Sequence, residues 1–263
     1  MGYPSVVAEN GGFYEDANID TFTLNLPSGI VSGDLVLVLF NVNGHVTFGV
    51  PTMSMVGWTE LFQEKVGEFE SGSHGLAAFY KAATAPMGDT VTATTSHPCR
   101  GAHSSFRITG WSTVECGVAA TGEDAYPNPP TFAPSWGAAY TLWLAVCGTK
   151  GWPVGGFPSS YTDSRSDHTS GAYGATHSAR RELAAGSEDP GVFTLSPLAS
   201  LYWIANTIAI VGSGQWGATG DRTVAHTQPS LELIRNLEMQ CDGRSYITKA
   251  GLFKYESRYA RHG

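Results

Sequence analysis

Charge is scarce in this 263-residue chain: Asp, Glu, Lys and Arg make up 14% of it, and the 15 Lys and Arg are scattered. A nucleic-acid binder neutralises phosphates with clustered basic groups, so a net charge of -8 without a basic patch argues against nucleic acid as a partner. Cysteine is equally sparse. Cys99, Cys116, Cys147 and Cys241 are widely spaced and form no Cys-x-x-Cys pair, which fits reduced, buried thiols better than a disulfide scaffold. No apolar run reaches the length of a membrane span, so no membrane insertion is expected. The opening MGYPSVVAENGGFYEDANID lacks the basic and apolar regions of a secretory signal, and synthesis in a cytoplasm is expected. The chain has no Walker loop, no Gly-x-Ser-x-Gly elbow and no His-Glu-x-x-His pair, so no enzyme class is indicated.

What the chain does contain is turn residues and short apolar runs. With 32 Gly and 14 Pro, it reads as many strands joined by tight connections. Leu35 to Phe40 is an unbroken apolar run of strand length between Ser32-Gly33-Asp34 and Asn43-Gly44, expected as a core strand closed by a tight hairpin, with Val46 and Phe48 resuming the β pattern. The pattern returns at Ala138 to Val146, and Gly151-Trp152 follows it much as Gly57-Trp58 follows the first. Further strands are expected at 20–26, 59–66, 75–81, 90–95, 104–110, 191–195 and 201–211, with a polar strand or edge at 174–183. The Pro-rich 121–134 reads as a crossover or rim loop and 148–170 as a loop, whereas Ser230 to Gln240 has helical spacing. Trp58, Trp111 and Trp152 each follow a glycine at a strand edge, where an indole plugs the end of a core. Leu35, Leu37, Leu39, Leu142, Leu144, Val146, Ile208 and Ile210 are the expected core.

Candidate chemistry is thin. His97-Pro98-Cys99 and His103 place two imidazoles and a thiol within seven residues, but a structural zinc site needs a fourth ligand, so a histidine-bearing loop is the plainer reading. Glu64, Glu68 and Glu70 read as a solvated acidic segment, since nothing selects a catalytic pair among them. No metal ion, organic cofactor or catalytic residue is expected. The charge is more telling in its distribution: residues 1–215 hold 8 Lys and Arg against 18 Asp and Glu, and residues 216–263 hold 7 against 5. Aromatic Tyr246, Phe253, Tyr255 and Tyr259, with basic Arg244, Lys254, Arg258 and Arg261, make the C-terminal segment a candidate docking arm; an ordinary solvated terminus is the alternative. Trp152, Phe157, Tyr161 and Tyr173 lie in a Gly- and Ser-rich loop region and are candidates for an aromatic platform that stacks on sugar.

The order PSGIVSGDLVLVLF, GWTEL, FYKAATAPMGDTVTATTS and FRITGW resembles a β-sandwich family of tailed-bacteriophage structural proteins. The matching positions are Leu26 to Asp34, Gly57 to Thr59, Tyr80-Lys81, Asp89 to Ser96 and Arg107 to Gly110, with weaker echoes in TLWLAV, PSSYT and WIANTIAIVG, so the likeness covers about residues 20–212. The resemblance implies a virion component and names no catalytic residue. The expected architecture is all-β: a single antiparallel jelly-roll-like β-sandwich over 20–212, preceded by an N-terminal segment (1–19) and followed by an irregular C-terminal extension (213–263) acting as an assembly arm. The expected function is that of a capsid decoration, head-fibre or tail component of a bacteriophage virion, with other virion proteins and copies of itself as partners. The alternative is a carbohydrate-binding module that recognises host surface glycan.

Overall fold

The computed structural model describes residues 2–67, 72–151, 153–168, 174–196, 198 and 201–213, and the backbone of 243–247 and 253–257. Its strands are β1 (Ser5–Tyr14), β2 (Thr21–Asn25), β3 (Leu35–Asn43), β4 (Met53–Ser54), β5 (Thr59–Val66), β6 (His74–Ala82), β7 (Thr90–Thr95), β8 (Gly101–Thr109), β9 (Trp111–Cys116), β10 (Ala120–Asp124), β11 (Ala139–Thr149), β12 (Val154–Gly156), β13 (Thr162–His168), β14 (Ala175–Ala185), β15 (Thr194–Leu195), β16 (Leu201–Gly212), β17 (Gly243–Ile247) and β18 (Phe253–Ser257). The described part is all-β, with antiparallel sheets packed face to face. The chain forms two compact units, Met1–Ala218 and Thr219–Gly263.

Within the first unit the architecture is doubled. One sheet has the order β1-β8-β3-β6-β5 and is covered on its outer face by a small sheet of order β2-β7-β4. That pairing follows the strand order of a jelly roll, except that β5 extends the large sheet beside β6 instead of joining β4. The second large sheet runs β10-β16-β11-β14-β13, with β9 also on β16, and β12 pairs β15. The counterpart of β2 in this second roll is the stretch from Ala125 to Pro127, whose terminal carbonyls accept from the Leu195 and Phe193 amides at 2.9 and 2.8 Å. Thus β3 corresponds to β11, β5 to β13, β6 to β14 and β8 to β16, each recurring roughly a hundred residues later; β9 and β10 share the edge position that β1 holds alone. The single roll expected from the sequence is two rolls back to back, within one compact unit.

Three apolar cores follow. Phe22, Leu24, Val36, Val38, Phe40 and Phe79 fill the first roll, and Trp143, Ala145, Cys147, Phe193, Trp203 and Ala209 fill the second. Between them Leu35, Leu37, Leu39, Phe106, Ile108, Leu142, Leu144, Val146, Ile208 and Ile210 join the two large sheets. Side chains alternate across a strand, so β3 sends Val36, Val38 and Phe40 into its own roll and Leu35, Leu37 and Leu39 into the joint. A strand buried on both faces needs apolar residues at every position, and this is why β3 reads as an unbroken run rather than an alternation.

The expected strands at 59–66 and 90–95 match β5 and β7. Three local readings are corrected. The run at Leu35 is not closed by a hairpin: β3 pairs with β6 and β8, so both its edges are taken and the chain must leave the sheet, keeping only a single bridge between His45 and Gly49. The segments read as loops at 121–134 and 148–170 contain β10, β12 and β13, which are short and polar because they lie at edges. Residues 1–19, read as preceding the sandwich, include β1, which pairs along its whole length with β8. In the extension, expected to be irregular, β17 and β18 form an antiparallel pair; the proposed helix at Ser230 to Gln240 lies outside the described residues.

Leu37 is fully buried in the joint between the rolls. Leu37→Ala is expected to cost about 2 to 5 kcal/mol of unfolding free energy. Chemical denaturation of the purified variant measures this, with one cooperative transition expected because the joint ties both rolls together.

Candidate functional site

The two large sheets meet along two lateral seams, and the repeat makes those seams counterparts. At one, β5 lies beside β9, β10 and β16; at the other, β13 lies beside β1 and β8. The first is apolar. Leu61, Phe62, Trp111 and Cys116 close it onto the joint core, with the Cys116 thiol 3.5 Å from the Leu61 carbonyl and the Trp111 indole donating to Gly33 at 2.9 Å.

The second seam is ionic. From β1, Glu9 pairs with Arg165 on β13 and with Arg180 on β14. Arg180 also lies 3.3 Å from Asp163, and Arg165 holds Asp167 through two bonds of 2.5 and 2.7 Å. Asp167 in turn accepts from the Ser104 hydroxyl of β8 at 2.6 Å. Gly11 makes this approach feasible, because a Cβ there would fall 2.4 Å from an Asp167 carboxylate oxygen. Towards the other end of the seam both edge strands are bulged. The β1 register shifts between Val6 and Ala8, and the β13 register shifts between Thr162 and Arg165. Asp163, inside the second bulge, has φ 48 and is, among the described residues, the non-glycine one placed in the left-handed region, a conformation that costs free energy unless the surroundings impose it. Two adjoining cavities of about 420 Å³ each open here, lined by Ser5, Val6, Glu9, Asp163, Ser164 and Arg180 and, further along, Leu142, Thr162 and Glu182.

The ion pairs are a poor stability device. Their side chains are only 21 to 24% exposed for Arg165, Arg180 and Glu9, so the charges lose most of their hydration as they gain each other's attraction, and apolar residues in their place would serve stability as well or better. The apolar seam achieves closure with buried hydrophobic surface, which is worth more per residue. Stability alone therefore gives no reason for the second seam to be charged.

The residues singled out by sequence are distributed differently. Tyr161 is buried in the second roll's core, and its phenol is pushed up by burial first and by the nearby Glu188 second. Phe157 is half-buried against Phe193 at 5.8 Å. Neither presents an open face of the kind that sugar stacking needs, while Trp152 and Tyr173 lie outside the described residues. Of the C-terminal set, Arg244 and Tyr246 fall on β17 opposite Glu256 and Lys254, and Phe253 and Tyr255 on β18 opposite Ile247 and Ser245; Arg258, Tyr259 and Arg261 lie outside the described residues. Trp58 packs on the first core, as a plug would. Glu64 is on β5, and Glu68 and Glu70 lie outside the described residues.

The His97-Cys99-His103 segment does not converge. His97 faces the Gly49 carbonyl at 3.2 Å, Cys99 is buried in the first core, and His103 on β8 donates to the Asn25 carbonyl at 3.1 Å. Among the described residues no group of three or more His, Cys, Asp or Glu is placed to hold a metal ion. Cys99, Cys116 and Cys147 are free thiols; burial raises the first two to about 11 and Cys147 further, so none is a ready nucleophile near neutral pH. Among the described residues no helix is long and apolar enough to cross a membrane. No family model matches the chain, and no curated protein and no solved structure matches it.

One polar cluster was not legible in sequence. Asn41 reaches from β3 across the joint and donates to the Thr149 and Ala175 carbonyls at 2.6 Å each. His74 beside it places Nε2 3.1 Å from the Gly148 carbonyl and Nδ1 3.2 Å from that of Gly72, and a neutral ring can donate to one of them. Burial, partly opposed by these carbonyls, lowers His74 to about 4; burial likewise lowers His103 to about 4. An unfolded histidine titrates near about 6.5, so as pH falls the unfolded chain takes up protons that the folded chain refuses. The stability contributed by these neutral rings is complete above about pH 6.5 and is lost as pH falls through about 4. The urea midpoint is expected to be level above neutrality and to drop across that window, with a shallower drop in His74→Gln and His103→Gln. An equally steep drop in both variants would show that other groups govern it.

Proposed function

We infer that this chain is a structural component of a bacteriophage virion, a capsid decoration, head-fibre or tail protein, which acts by assembly with other virion proteins and copies of itself and by display of its double roll. The observation that carries the reading is the division of the chain into an acidic double jelly roll and a separate unit of opposite charge balance. Residues 219–263 hold 7 Lys and Arg against 5 Asp and Glu, and they include the β17–β18 pair with its basic and aromatic residues. A unit of 45 residues that is this polar gains little from a core of its own, and contact with neighbouring subunits would supply the missing burial. The phage likeness of residues 20–212 supports the same reading, and jelly rolls recur in viral capsid and lectin domains, which adds support by analogy alone.

The alternative, recognition of host glycan through Trp152, Phe157, Tyr161 and Tyr173, is weakened by the burial of Tyr161. Truncation after Ala218 tests the assembly reading. The shortened protein is expected to keep its cooperative thermal unfolding and to be missing from purified particles by mass spectrometry, whereas the full chain is present. Normal incorporation of the truncated chain would remove the docking role from residues 219–263, and absence of the full chain from particles would sink the virion reading.

A further inference from the structure

We propose that the ionic seam between β1 and β13 is a binding cleft for a neutral, hydroxyl-rich ligand, a short oligosaccharide, independent of how the chain is assembled. The repeat supplies an internal comparison. Both seams join the same two sheets through equivalent edge strands, and both the β5 and β13 edges carry a bulge near their N-terminal ends. In β5 the bulged position is Leu61, which packs onto the joint core. In β13 it is Asp163 and Ser164, which line a cavity instead, with Asp163 held at positive φ and its side chain 60% exposed. Equivalent edge positions are thus filled by an apolar plug on one side and by an open polar cleft on the other.

The lining selects the ligand class. A cavity of about 420 Å³ is within the size range of small-molecule sites. The walls of the two adjoining cavities carry the carboxylates of Glu9, Asp163 and Glu182, the guanidinium groups of Arg180 and Arg181 and the hydroxyls of Ser5, Ser164 and Thr162, with Val6 and Leu142 as the apolar part. Arg180 is already paired with both Glu9 and Asp163, and Arg181 with Glu188 at 2.8 Å. An anion drawn to Arg180 or Arg181, or a cation drawn to Glu9 or Asp163, would have to break those pairs and strand a partner, which is costly. A sugar hydroxyl donates to a carboxylate and accepts from a guanidinium without adding charge, and the existing pairs hold those groups in place before it arrives, which lowers the ordering cost. Tyr140 stands on the same face of β11 as Leu142, is 40% exposed, and packs edge-on against Tyr3 at 5.0 Å, so an aromatic pair neighbours the end of the cleft formed by Ser5 and Leu142. An added peptide strand fits less well, because both edges are bulged where the cavity opens and their backbone ladders are out of register there.

Titration of the full chain with maltose, cellobiose, lactose, mannobiose and diacetylchitobiose, followed by amide chemical shifts, tests the proposal. At least one sugar is expected to shift the amides of 5–9, 140–142, 162–165 and 180–182 together, with an affinity of about 1 mM, as a single shallow contact implies. Asp163→Gly removes the carboxylate and accepts the positive φ without strain, so it should fold with an unchanged thermal midpoint while weakening that affinity at least tenfold. No response to any of the five at about 20 mM, well above the expected affinity, would overturn the proposal. Shifts confined to other residues, or an unchanged affinity in Asp163→Gly, would also overturn it. Shifts at the same amides on adding the strand-forming peptide Val-Thr-Val-Thr-Val, with none from the sugars, would replace it with strand addition.

Discussion

Burial of β3 and β11 on both faces is the constraint on which the rest of the molecule depends. Each is the central strand of its large sheet, flanked by β6 and β8 or by β14 and β16, and each must satisfy a core on either side. Leu35, Leu37 and Leu39 meet Leu142, Leu144 and Val146 in the joint, while Val36, Val38 and Phe40 or Trp143, Ala145 and Cys147 turn outward into separate cores. A one-residue slip of either strand would exchange those faces, so the register of both sheets is set by the volumes on the two sides. The outer cores then require covers, and the small sheets β2-β7-β4 and β12-β15 supply them.

At one end of the joint the leucines give way to Asn41, His74, Ser104 and Thr176, all buried. The Asn41 side chain bonds two carbonyls of the opposite roll while its backbone stays in the β3 ladders, and Ser104 lies 2.7 Å from Thr176 across the same gap. Apolar contacts are non-directional and would tolerate small shifts of one roll over the other; directional bonds between buried polar groups would not. The close approach of Gly148 to Asn41 and Leu76 belongs to this fit, since a side chain there would occupy the space the amide needs.

The doubled architecture also separates what folding demands from what it leaves open. Equivalent edges, bulges and sheet positions recur in both rolls, yet one seam is sealed by Leu61, Phe62 and Trp111 and the other is spanned by Glu9, Arg165, Arg180 and Asp167. Equivalent sheet edges thus carry two very different linings, and closing the sandwich does not by itself require the charged one.

Sequence by itself determined the all-β class, most of the strands and the core residues of the joint, because an apolar run bounded by turn residues is a local signal that survives any tertiary arrangement. All eight residues expected in the core, Leu35 to Ile210, are fully or almost fully buried. The return of the pattern at Ala138 to Val146 also held the repeat, though not its back-to-back packing. Only the tertiary structure decided the rest. Edge strands β10 and β13 are polar and short, and they are strands because a neighbour offers a free ladder, which no local window records. The ionic seam was invisible for the same reason: Glu9 lies far along the chain from Arg165 and Arg180, and only the packing of two sheets brings them into one cleft. Tyr161 looked like an exposed loop aromatic because its segment is rich in Gly and Ser, yet the second roll needs a cover for Trp143 and Phe193, and Tyr161 supplies part of it.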